Sequence, residues 1–91
     1  MISETTVHKI SRMLKSAGCK EVFLFGSQLT GRVGSGSDID IGVRGLSPQK
    51  FLSVYRRLDE EMRERIDLVD FDEQGAFFDL LSDIGEIRQI G

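Results

Sequence analysis

Residues 21–44 read EVFLFGSQLTGRVGSGSDIDIGVR, and their interpretation decides the fold. Val22-Phe23-Leu24-Phe25 is a run of apolar β-formers stopped by Gly26, the pattern of a buried strand entering a turn. Ser27 is placed to cap a short helical turn, SQLTGR, and a helix start offers unpaired backbone N–H groups to a phosphate. Gly26 lets the backbone approach an anion with no Cβ in the way. In DIDIGV the period is two, so Asp38, Asp40 and Gly42 share one face while Ile39, Ile41 and Val43 share the other. The apolar face belongs in a core. Two carboxylates one residue apart on the opposite face repel each other unless a cation sits between them, and Mg²⁺ suits carboxylates together with substrate phosphates.

Each part alone has a plainer explanation. A serine after a strand is commonly only a helix cap, and aspartates can line the wet side of a half-exposed strand. Aspartate is nevertheless depleted from strands, and neighbouring like charges weaken them. The spacing GS, ten residues, DxD arises by chance in on the order of one chain in a thousand of this length at ordinary residue frequencies. The combination therefore points to a nucleotide and metal site.

Ninety-one residues are read as one small domain, 1–91. A chain this short buries a modest core, so a partner or a homo- or hetero-oligomer is expected to add stability. Twelve basic against fifteen acidic residues give a net charge of −3, with no lysine or arginine stripe, which disfavours direct nucleic-acid binding. Cys19, the sole cysteine, has no internal disulfide partner and reads as a small, partly buried side chain. No stretch has the length of a membrane span and the first residues lack a signal-peptide core, so a cytoplasmic location is expected.

Before this stretch, Val7, Ile10, Leu14 and Ala17 recur at helical spacing with Gly18 behind them, predicting a first helix over residues 3–17. His8 lies on or near its polar side, with no partner at metal-ligand spacing. After it, Ser47 and Pro48 open a helix reaching about Glu64, with Phe51, Tyr55, Leu58 and Met62 as the buried stripe. Tyr55 is read as core. Ile66-Asp67-Leu68-Val69-Asp70-Phe71 is a third strand offering two carboxylates on opposite faces, between which periodicity does not choose. Asp72 is expected to cap a last helix whose apolar face is Phe77, Leu80, Leu81 and Ile84, with Phe78 off its centre. GEIRQIG closes the sheet with a short edge strand.

FGSQLTGRVGSGSDIDIGV resembles the signature of the minimal, MNT-type nucleotidyltransferases of the DNA polymerase beta superfamily, GSx(10)DxD with a serine, here Ser37, before the first aspartate. The similarity runs from the first helix through RIDLVDF to the tail. It implies an α/β (α+β) fold, a small mixed β-sheet flanked by helices. It also implies transfer of a nucleoside monophosphate, AMP from ATP, with release of pyrophosphate. In similar proteins the third carboxylate opens a VDLV-like strand, which selects Asp67 in IDLV over Asp70. The catalytic and metal residues it implies are Asp38, Asp40 and Asp67 around two Mg²⁺ ions, with Gly26, Ser27, Arg32 and Ser37 on the nucleotide. One departure is clear: many members read GSxARG, whereas Thr30 stands where an arginine is common, and Arg32 is the nearest substitute.

Little chain remains to recognise an acceptor, so the acceptor is expected to be a protein. The resemblance extends to the antitoxins of MNT-HEPN toxin-antitoxin pairs, which implies a HEPN-domain toxin as the partner that is adenylylated. Two other readings stand beside it: a small-molecule acceptor presented by a separate substrate-binding subunit, and a non-catalytic module that binds nucleotide or toxin.

Overall fold

The computed structural model describes residues 3–26 and 39–91 of the chain. Ser3 starts helix α1 (Glu4–Ser16), its Oγ accepting the Thr6 N–H at 3.2 Å. Val7, Ile10 and Leu14 are buried along one side, as their spacing demands. The chain then crosses the molecule as β1 (Glu21–Phe25), β2 (Ile39–Arg44), helix α2 (Pro48–Glu61), β3 (Ile66–Asp70), helix α3 (Gly75–Ile84) and β4 (Ile87–Gln89).

The four strands form one sheet in the order β3-β2-β1-β4. β1 runs antiparallel to β2 and to β4, whereas β2 and β3 are parallel. A parallel pair needs a crossover, and α2 supplies it. The sheet is mixed and flanked by helices, as expected. Strand alternation then divides the core in two. Val22, Leu24, Ile39, Ile41, Val43, Ile66 and Leu68 pack with Ile10, Leu14 and Leu58 of α1 and α2. Phe23 and Phe25 pack on the other face with Phe71 and Leu81, joined by Phe77 and Phe78. Cys19 lies in the first cluster, and its burial pushes the thiol pKa up to about 11.

Three sequence expectations need correction. Helix α2 ends at Glu61, not near Glu64, and Met62 already has extended backbone. The Ile39 N–H donates to Arg65 O at 2.8 Å, so the chain is already tied to β2 just before β3 and the helix must stop early enough to turn into it. The Met62 side chain still packs in the core, beside Leu58, with Phe51 and Tyr55 partly buried against it. Asp72 caps no helix: α3 begins behind Gln74 without a side-chain cap, and the Asp72 carboxylate accepts the Gly45 N–H at 2.8 Å. The buried face of α3 is Phe77, Phe78 and Leu81, while Leu80 and Ile84 are each 54 % exposed. The large rings of Phe23 and Phe71 draw the helix onto Phe78, with centroids 5.2 and 5.3 Å away, and that rotates Leu80 and Ile84 outward.

Candidate active site

The register of three strands assembles the site. Phe25, the last residue of β1, pairs with Asp40 of β2, and Asp40 pairs across the parallel ladder with Asp67 of β3. Side chains paired this way point to the same face, from strands about 4.8 Å apart. Ile39, Ile41, Ile66 and Leu68, their chain neighbours, are buried on the opposite face. Two carboxylates therefore stand side by side, Asp40 partly buried and Asp67 exposed.

Gly26 forms the third wall. Its φ of +80° is a conformation that side chains rarely adopt, and an added Cβ would press on the Asp40 carboxylate, 3.3 Å from its Cγ. The absence of a side chain there gives Asp40 its room. Gly42, two residues along β2 on the same face, does the same for Phe71, whose ring occupies the space a Cβ would need. Phe71 in turn stacks against Phe25 and Phe77, so an aromatic floor fixes the end of β1 from which Gly26 turns.

Of the two carboxylates offered by IDLVDF, only Asp67 stands beside Asp40. Asp70 is aligned with Val43, and its Oδ1 accepts the Asp72 N–H at 2.9 Å in the turn after the strand. Asp67 Oδ1 accepts a hydrogen bond from the Tyr55 hydroxyl at 3.2 Å. That contact is not legible in the sequence: helical spacing makes Tyr55 core, as its partly buried ring is, but says nothing about where the hydroxyl ends. The Tyr55 pKa is raised by burial; a hydrogen bond with the Leu68 backbone opposes the rise and Asp67 adds to it. Ser27, Arg32, Ser37 and Asp38 lie outside the described residues. Among the described residues no three His, Cys, Asp or Glu side chains gather as a metal site, Asp40 and Asp67 being two.

Residues 8–83 match the nucleotidyltransferase family of polymerase beta. The chain belongs to the polymerase beta nucleotidyltransferases. This family member shares its fold with several solved structures of toxin-antitoxin complexes. One, a toxin-antitoxin complex with AMP-PNP, is 23 % identical with a TM-score of 0.76, over 93 % of this chain and 72 % of that one. Another holds a tri-AMPylated Shewanella oneidensis HEPN toxin with its MNT antitoxin, at 20 % identity and a TM-score of 0.72, over 99 % and 72 % of the two chains. A third is the MntA-HepT toxin-antitoxin, at 20 % identity and 0.72, over 98 % and 72 %. No curated protein matches the sequence of this nucleotidyltransferase. Among its described residues no helix is long and apolar enough to cross a membrane.

An all-oxygen donor set of adjacent carboxylates fits a hard divalent cation such as Mg²⁺.

Proposed function

We propose that this nucleotidyltransferase transfers AMP from ATP to a protein acceptor, a HEPN-type toxin, and acts as its antitoxin. The observation that carries the reading is the pairing of Asp40 with Asp67 beside the Gly26 turn. Family membership gives the reaction class, and the AMP-PNP and AMPylated-toxin complexes that share the fold supply the donor and the acceptor class by analogy.

In this reading Asp38, Asp40 and Asp67 hold two Mg²⁺ ions, and Gly26, Ser27, Arg32 and Ser37 hold the nucleotide. Bound Mg²⁺ supplies charge neutralisation for the phosphates and for the acceptor oxygen. Asp40 lies between the phosphate turn and β3, and so serves both the donor and the acceptor side. Asp67 lies on the edge strand, where an incoming hydroxyl approaches; its carboxylate orients that group and accepts its proton. Gly26 and Ser27 bind the phosphates that leave as pyrophosphate. The protein's work is positioning and electrostatics rather than covalent catalysis.

The test incubates purified protein with α-³²P-ATP and Mg²⁺, with and without a HEPN-domain partner, comparing wild type with Asp38→Ala/Asp40→Ala. Label on the partner that disappears in the double variant is the expected result. Protection of cells from the toxin by the double variant, equal to wild type and with no label transferred, would favour a binding module. Label on a small molecule instead of the protein would assign a different acceptor.

A further inference from the structure

We infer that Tyr55 is a positioning residue of this site, fixing the Asp67 carboxylate from behind through the hydrogen bond between its hydroxyl and Asp67 Oδ1. The inference rests on the reading of Asp67 as a cation ligand.

The geometry is specific to an edge strand. α2 covers the aliphatic face of the sheet, burying Leu58 there, whereas Asp67 projects from the other face. A helix on one face normally cannot touch a side chain on the other. β3, however, is the last strand of the sheet, so a long side chain from α2 can reach round it. Tyr55 does so from a ring held against Phe51, centroids 6.1 Å apart and nearly perpendicular, and packed on the aliphatic cluster. A rigid ring with two side-chain torsions brings its hydroxyl to Asp67 Oδ1 at 3.2 Å with little entropy left to lose. Asp67 is otherwise an exposed aspartate, free to sample its rotamers. The hydrogen bond to Oδ1 restricts those rotamers.

Hydrogen bonds to ligating carboxylates orient the ligand, and losing such a partner lowers metal affinity on the order of tenfold or more. The experiment measures Mn²⁺ binding to nucleotide-free protein by electron paramagnetic resonance, alongside kcat and KM for ATP. The variants are Tyr55→Phe, Asp67→Ala, the double variant and Phe51→Leu, with folding checked by circular dichroism. Tyr55→Phe keeps the ring and removes only the hydroxyl. It is expected to weaken Mn²⁺ about tenfold and lower kcat by a similar factor while KM for ATP moves less than about twofold. In the Asp67→Ala background it should do nothing more. Phe51→Leu loosens the ring that carries the hydroxyl and is expected to weaken Mn²⁺ binding in the same direction as Tyr55→Phe but by less.

Wild-type Mn²⁺ affinity and kcat in Tyr55→Phe would overturn the role of Tyr55 while leaving Asp67 as a ligand. So would an undiminished effect in the Asp67→Ala background. Unchanged Mn²⁺ affinity in Asp67→Ala would instead sink the reading of Asp67, whatever Tyr55 does.

Discussion

On one face of the sheet Val22, Leu24, Ile41, Val43 and Leu68 meet two helices and are sealed from water; on the other, Phe23 and Phe25 meet α3 and Phe71. The first face is aliphatic, built of branched side chains that interdigitate. The second is aromatic at one end and carboxylate at the other. The same strands supply both, since alternate residues of β2 and β3 point opposite ways. One face holds the fold together, so the other can carry adjacent carboxylates at a corner that none of the described helices covers.

The largest expected break in this comparison is functional. Asp40→Ala should lower the rate of nucleotidyl transfer by about a thousandfold or more, several kcal/mol of transition-state stabilisation, in a single-turnover assay. Its thermal melting should stay near that of wild type, because Asp40 lies outside both apolar clusters. Ile41→Ala, one residue away and fully buried on the opposite face, should behave conversely. Urea denaturation should show a loss of about 2–5 kcal/mol, while folded protein retains its turnover.

Gly42→Ala tests the aromatic end. The added methyl meets the Phe71 ring, and overpacking of this kind costs about 1–3 kcal/mol. Phe71→Leu should recover part of it if the clash is the cause. Cys19 sharpens the contrast through pH. Its thiol is raised from 9.0 to about 11 by burial in the aliphatic cluster, so the folded state holds the proton more tightly than the unfolded chain. The stability this contributes is complete below pH 9 and is lost as pH rises toward 11, amounting to roughly 2 kcal/mol. Denaturation midpoints between pH 8 and 11 should therefore fall in wild type and fall less in Cys19→Ala.

Much of this arrangement is written locally. The run VFLF, the alternation in DIDIGV and the Ser47-Pro48 start determine β1, β2 and α2 because each depends on neighbours a few residues away. The pairing of Asp40 with Asp67 is different. Residue spacing leaves Asp67 and Asp70 open, and the parallel register that aligns Asp67 with Asp40 depends on the length and packing of the α2 crossover between them. The face of α3 is likewise decided at a distance: Leu80 and Ile84 have the right period to be buried, but the rings of Phe23 and Phe71 capture Phe78 instead. Tyr55 is the extreme case, its ring explained by helical spacing and its hydroxyl only by the edge position of β3.

The most direct test of the central claim is a crystal soaked in Mn²⁺ and AMP-PNP, with anomalous scattering used to find the metal. A peak touching carboxylate oxygens of both Asp40 and Asp67 at roughly 2.0–2.4 Å is expected, ordinary distances for a hard divalent cation on oxygen. A peak bound by one of them alone, or sited away from both while nucleotide is present, would contradict it.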